Sequence, residues 1–258
     1  MSAEEHNPPA KGERIAKFLA RAGVASRRDV ERLIAAGRIA VDGTTISTPA
    51  TFVTASSRIT LDGSPVAAAQ ATRLWLYHKP RGLVTTARDP QGRPTVFDTL
   101  PKHLPRVISI GRLDLDSEGL LLLTNDGALA RRLELPSSGW PRTYRVRVRG
   151  CPSAAALARL RNGITVRGIR FGPIEARLDA ANSTRAPQRK HQHAPPANTW
   201  LTVTLREGKN REVRRVFAHL GHPVSRLIRV VFGPFALDSL APGAVSEVPS
   251  AILRSALE

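Results

Sequence analysis

At 258 residues the chain can bury a substantial core and is long enough for two domains. Its formal net charge is +18, built from 33 arginines and 6 lysines against 21 acids, which points to a polyanionic partner and away from a neutral sugar cleft. One cysteine, Cys151, excludes intrachain disulfides and a cysteine-rich zinc site. With no apolar signal stretch at its start and no window of membrane-spanning length, it is expected to be a cytoplasmic protein that needs no metal.

Residues 1–11 are polar and proline-bearing, and are expected to be a disordered lead. From Arg14 the pattern turns helical, with Ile15, Phe18, Leu19 and Ala22 on one face and Gly23 as the stop. Ser26 is placed to cap a second helix with Asp29 three residues on; Val30, Leu33 and Ile34 form its apolar face and Gly37 ends it. Ile39 and Val41, the Asp42-Gly43 turn, then Thr45 and Ile46 predict a hairpin. Arg21, Arg27, Arg28, Arg32 and Arg38 fall on faces this packing leaves exposed, which suits gripping structured RNA through its phosphates. An ordinary helical hairpin with charged outer faces would show the same pattern. Residues 63–72, ending in an alanine-rich run, read as a flexible linker.

A larger domain is expected over 73–245. Leu74, Leu76 and Tyr77 run into His78-Lys79-Pro80-Arg81-Gly82-Leu83-Val84-Thr85-Thr86, expected as two strands joined by a proline-glycine turn. The most informative stretch is 110–127. After Gly111 and Arg112 it sets Asp114, Asp116 and Glu118 on alternate residues, then Leu120 to Leu123, then the turn signal Asp126-Gly127. The leucines predict a short buried strand and the acids the loop feeding it, so a charged loop sits at the rim of a sheet, where a rigid scaffold can hold a reactive carboxylate. Ala128 to Leu133 predicts a short helix. Arg142 to Arg149 alternates as a half-buried strand, with Tyr144, Val146 and Val148 on one face and four arginines opposite. Residues 153–161 read as a helix and Ile164 to Leu178 as a hairpin pair. The polar, basic stretch 181–198 is expected to be a disordered loop, Trp200 to Leu205 another strand, and Val213, Val216, Phe217 and Leu220 the apolar line of a helix ending at Gly221. His219 and His222 have no third ligand nearby, and residues 246–258 read as a tail.

Gly111-Arg112-Leu113-Asp114 followed by Ser117-Glu118-Gly119-Leu120-Leu121 resembles the active-site motif of the bacterial ribosomal RNA pseudouridine synthases that modify single uridines. Lys79-Pro80-Arg81-Gly82, Asp89-Pro90 through Asp98, Glu207 to Arg215, Gly221-His222-Pro223-Val224 and Phe232-Gly233-Pro234 are similar to the same family. Residues 12–62 resemble the small RNA-binding module named after ribosomal protein S-four. The resemblance implies an α+β protein: an αα-hairpin-and-sheet RNA-binding module, then a mainly antiparallel mixed-sheet catalytic domain with flanking helices.

It also makes Asp114 the catalytic residue and leaves Asp116 and Glu118 as solvated loop acids. Arg112 would occupy the place of an extruded uridine, Tyr144 would pack on the uracil, and Arg214 would bond the catalytic carboxylate. Lys209 counts with the substrate-binding residues, and Lys79 and Arg81 with the RNA-facing surface. In that family glutamine stands where this chain has Glu212. The expected partner is ribosomal RNA or a ribosomal subunit assembly intermediate, bound by a monomer without a cofactor, and the large subunit is favoured over the small. The rivals are a non-catalytic ribosome-assembly factor with the same RNA grip and a glycoside hydrolase using Asp114 with Asp116 or Glu118.

Overall fold

The computed structural model describes residues 12–135, 138–179 and 198–258. The expected lead over 1–11, and the expected loop 181–198 except for Asn198, lie outside the described residues. The chain forms two compact units, Met1–Thr72 and Arg73–Glu258.

In the first unit, strand β1 (Glu13–Arg14) leads directly into helix α1 (Ile15–Arg21), and helix α2 (Arg27–Ala35) follows. Ser26 Oγ accepts the Asp29 N–H at 3.2 Å, the cap that the sequence signalled. Strands β2 (Ile39–Val41), β3 (Thr44–Thr45), β5 (Ile59–Leu61) and β6 (Ser64–Pro65) make a sheet in the order β3-β2-β5-β6, while β4 (Phe52–Val53) pairs with β1. Ile15, Leu19, Val30, Ile34, Ile39, Val53 and Ile59 are the core on which helices and sheet meet. The first residues of the expected linker belong to this sheet: the turn at Asp62-Gly63 returns the chain antiparallel onto β5.

All five arginines named above are exposed. Arg21 pairs with Glu13, Arg32 with Asp29, and Arg38 with Asp62 through two bonds. Arg27 and Arg28 have no ion pair among the described residues.

The second unit is built on a nine-stranded sheet. Its main path is β13-β14-β10-β15-β9-β7-β17, comprising Ile174–Leu178, Asn198–Leu205, Arg142–Arg149, Val224–Phe232, Glu118–Thr124, Leu74–Lys79 and Val245–Glu247. β8 (Ile108–Ile110) pairs with β9, and β16 (Phe235–Ala236) with β15. Every pairing is antiparallel except one, the parallel contact of β9 with β15 through Ile228↔Glu118 and Arg229↔Gly119. This two-residue ladder joins the halves of the sheet, and it requires Gly119. A Cβ there would stand 2.3 Å from the Arg229 carbonyl oxygen, on a residue whose φ is +104°. Arg229 Nε ties the same seam by donating to Leu120 O at 2.7 Å.

The leucine run is buried throughout because both faces of β9 are covered. Leu120 and Leu122 pack with helices α3 (Gly127–Glu134) and α6 (Ser250–Leu257), and Leu121 and Leu123 with Tyr77, Val96 and Leu113. Residues 246–258, read as a tail, therefore close one core: Leu253 is buried there and Ala256 and Leu257 pack beside it. The other half is sealed by α4 (Ala154–Arg159), the hairpin of β11 (Ile164–Val166) and β12 (Ile169–Phe171), and α5 (Glu212–His219), over Val146, Val148, Leu201 and Val203.

Two further expectations are corrected. No strand follows the Pro80–Gly82 turn; Val84 makes a single bridge to Thr95. Arg142 lies on the face of Tyr144 rather than opposite it, as a two-residue period requires, and is buried against Phe232.

Candidate active site

The loop between β8 and β9 is held by its backbone. Gly111 N–H donates to Glu134 Oε1 at 2.6 Å; Leu113 exchanges bonds with the Thr85 hydroxyl, its carbonyl accepting at 2.8 Å; and Leu115 O accepts from Gly82 N–H at 2.8 Å. Beneath them lies Lys79, whose Nζ donates to the carbonyls of Pro80 at 3.1 Å, Asp114 at 3.1 Å and Ser117 at 2.9 Å. Expected on the RNA-facing surface, Lys79 is instead fully buried, so its ammonium is the internal clamp of the loop. Burial lowers its pKa to about 8, against the opposing pull of Asp114, Asp116 and Glu118.

Held this way, the loop presents Asp114 with its side chain about one-third exposed. Its Oδ2 accepts from Arg211 Nη1 at 3.3 Å. The same guanidinium reaches both carboxylate oxygens of Asp116, at 3.2 and 3.3 Å. Arg214, expected to bond Asp114, lies in this cluster but turns to Asp116. Its Nη2 is 3.0 Å from the Asp116 carbonyl and 3.3 Å from its carboxylate, and Nη1 donates to Val224 O. Arg214 thus pins the loop to β15, while Arg211 bridges Asp114 and Asp116.

Asp116 is therefore not a solvated loop acid. Burial pushes its carboxyl up, but the bond from Arg211 and the charges of Arg214 and Arg211 outweigh that and hold it below the usual range. Glu118 is buried at the start of β9 and takes a two-bond contact from Arg226, which lowers its pKa against burial.

Of the other expected residues, Arg112 is exposed two positions before Asp114. Arg81 is exposed in the turn after Lys79, close enough for its charge to act on Glu118 and Arg214. Tyr144 is half-buried where two core clusters meet, one from each half of the sheet, and is opposite Arg229 on β15. Lys209 is not brought to Asp114. Its Nζ pairs with Glu207 at 2.8 Å and donates to Arg170 O at 2.7 Å, toward the β11–β12 hairpin.

Arg211 is the residue that sequence reasoning missed. It caps α5 in the left-handed conformation, φ 50° and ψ 33°, and this turn carries its guanidinium back over the acids. The run Glu207-Gly208-Lys209-Asn210-Arg211 marked a loop, but no periodicity reports a positive φ on an arginine.

The family model for RNA pseudouridylate synthases matches residues 73–219, and that for the S4 domain matches residues 13–59. An uncharacterized RNA pseudouridine synthase of Rickettsia felis is 46% identical over 242 residues, covering 94% of this chain and 99% of the relative. Ribosomal large subunit pseudouridine synthase B of Pasteurella multocida is 41% identical over 242 residues, covering 92% of this chain and 66% of the relative. Its counterpart in Pseudomonas aeruginosa is 44% identical over 233 residues, covering 88% and 57%. A crystal structure of a pseudouridylate synthase superimposes with a TM-score of 0.63 at 23% identity, covering 94% of this chain and 99% of that one, a likeness in fold.

Proposed function

As a member of the RNA pseudouridylate synthase family this chain is an isomerase acting on RNA, and we propose that it converts one uridine of large-subunit ribosomal RNA to pseudouridine, with Asp114 as the catalytic residue. The reaction breaks the bond from sugar C1′ to uracil N1, turns the base and joins its C5 to the same carbon; C5 gives up its proton and N1 takes one up, so product and substrate are isomers. Leaving group and nucleophile are the same base, and nothing is oxidised or reduced, so the chemistry calls for no cofactor.

The target atoms are shielded within stacked RNA, so the nucleotide must be extruded, at about a few kcal/mol. Arg112, exposed beside the catalytic loop, fills the vacated place and stacks on its neighbours. Tyr144 supports the extruded uracil at the seam of the two half-sheets. Asp114 then meets the sugar as a carboxylate, attacking C1′ or taking the 2′ proton. Arg211 aligns it, and Arg214 with Asp116 fixes the loop that carries it. Arg81 and the exposed arginines of the first unit draw in the phosphate backbone. The protein acts as a monomer in the cytoplasm, where its substrate is ribosomal RNA or a subunit assembly intermediate. The small-subunit target and the non-catalytic assembly factor remain as outcomes of the test.

One observation carries the reading. Among the acids of the cluster, Asp116 is held by two arginines and Glu118 by a two-bond contact from Arg226, while Asp114 takes a single bond of 3.3 Å from Arg211 and stands about one-third exposed on a loop fixed through its backbone. Carbodiimide mapping of ribosomal RNA from cells lacking this protein is expected to show one large-subunit pseudouridine missing. Wild-type protein should restore it, and Asp114→Asn should bind RNA without restoring it. Restoration by Asp114→Asn sinks the catalytic assignment, and a missing site in the small subunit redirects the substrate.

A further inference from the structure

The loop Glu207–Arg211 and the first turn of α5 bring two carboxyls together, and only one has the donors that a carboxylate requires. Glu207 Oε1 accepts from Gly172 N–H at 2.6 Å, and its Oε2 pairs with Lys209 Nζ at 2.8 Å. Glu212 is 4% exposed. Its Oε2 accepts from Lys209 N–H at 3.1 Å, but its Oε1 is buried and has no donor. An ionised carboxylate with a dry, empty oxygen is unfavourable, whereas a carboxylic acid turns that oxygen into a donor. The Glu207 carboxyl acts on Glu212 at close range, and the two acids share Lys209: its Nζ pairs with Glu207 and its N–H donates to Glu212.

We propose that Glu212 is a positioning residue that works as a neutral acid: its O–H donates to Glu207 and closes the loop that presents Arg211 to Asp114 and Asp116. Glu207 is hooked to Gly172 at the end of β12, so the contacts run from the hairpin through both acids to the N-terminus of α5. Arg211 immediately precedes Glu212 and holds a left-handed backbone that needs such support.

The charged groups facing Glu212 are Glu207 and Lys209 from the loop and Arg142 from β10. Lys209 is engaged with Glu207 and the Arg170 carbonyl, and Arg142 with the Trp140 and Arg206 carbonyls. Arg170, on the hairpin, donates to Asn162 O. None donates to the empty oxygen. Burial first, then the neighbouring Glu207 carboxyl, push Glu212 up to about 8, so the proton is retained at neutral pH.

Only the effect on rate rests on the catalytic reading of Asp114; the effect on stability does not. The test compares the full chain with Glu212→Gln, whose amide donates without titrating, from pH 5 to 9.5. The readouts are melting temperature and pseudouridine formed in total ribosomal RNA from cells lacking the protein. A folded-state pKa above the unfolded one means that the contribution of Glu212 to wild-type stability falls as pH rises from about 4.5 to about 8, and is level above that. The melting temperature of Glu212→Gln should gain on the wild type across that window and then run parallel. The ratio of its kcat to that of the wild type should rise about tenfold between pH 7 and pH 9, as the ionised wild-type form accumulates. Glu212→Ala, which offers no donor, should be slow at every pH. Parallel kcat profiles with a constant difference in melting temperature overturn the proposal. If no protein, wild type included, forms pseudouridine, the catalytic reading fails and the melting curves alone decide the role of Glu212.

Discussion

Replacing Lys79 with methionine keeps the length of the stem and removes the ammonium under the catalytic loop. Two contributions oppose each other. A pKa lowered from 10.5 to about 8 says that holding the ammonium in this site costs about 3.4 kcal/mol relative to the neutral amine, at ~1.36 kcal/mol per unit. Three charge-assisted bonds to carbonyls, each worth about 1.5–3 kcal/mol, total about 4.5–9. With that net cost set against them, a loss of about 1–6 kcal/mol remains, centred near 3. For a unit of this size that is a fall in melting temperature of about 6–12 °C.

Two of the three carbonyls belong to Asp114 and Ser117, so the loop should also drift. A displacement of about 1 Å in catalytic geometry costs on the order of a hundredfold in kcat. The assays are thermal unfolding followed by circular dichroism and single-turnover pseudouridine formation. The gap in stability between wild type and Lys79→Met should widen from about pH 8 to about pH 10.5. In that interval the unfolded lysine still binds a proton that the folded one has released, so wild-type stability rises with pH while methionine has nothing to titrate. Glu212 titrates in both proteins and cancels. A Lys79→Met protein that melts within about 2 °C of wild type and keeps its kcat would refute the clamp.

Other outcomes follow from the same geometry. Gly119→Ala should lose about 3 kcal/mol or more in urea unfolding, since its Cβ meets backbone at 2.3 Å in a left-handed conformation; a loss under about 1 kcal/mol would mean that the seam can give way. RNA binding should weaken steeply with salt, and Arg27→Ala with Arg28→Ala should reduce the slope of log affinity against log salt by about 2, as two lost phosphate contacts require. An unchanged slope would place the grip elsewhere.

Much of this molecule was legible from its sequence because the signals were local. Ser26 and Asp29 announced a cap, Leu120 to Leu123 announced the buried strand, and the acidic loop before it announced where Asp114 stands. What escaped depended on contacts distant in the chain. Lys79 reads as a turn residue beside proline, and only the folded loop supplies the three carbonyls that justify burying it. Asp116 and Glu118 looked solvated because Arg211, Arg214 and Arg226 lie some hundred residues away. Arg214 lies beside the acids but bonds Asp116 where Asp114 was expected, and the left-handed turn at Arg211 supplies the guanidinium that reaches Asp114. The last helix was missed for a simpler reason: Ile252, Leu253, Ala256 and Leu257 recur at helical spacing, but so short a run carries little weight until α3 is there to receive it.

The catalytic loop takes its shape almost wholly from amides and carbonyls, through Gly111, Leu113, Asp114, Leu115 and Ser117. Its outward side chains, Arg112 and Leu115, contribute none of those bonds. The exposed side chains and the frame that holds Asp114 are thereby separable within one short loop. On the roles proposed for Arg112 and Asp114, mutation can redraw what is read on an RNA while the reacting acid stays where it is, an arrangement that lets one scaffold diverge toward new target nucleotides without first surrendering its turnover.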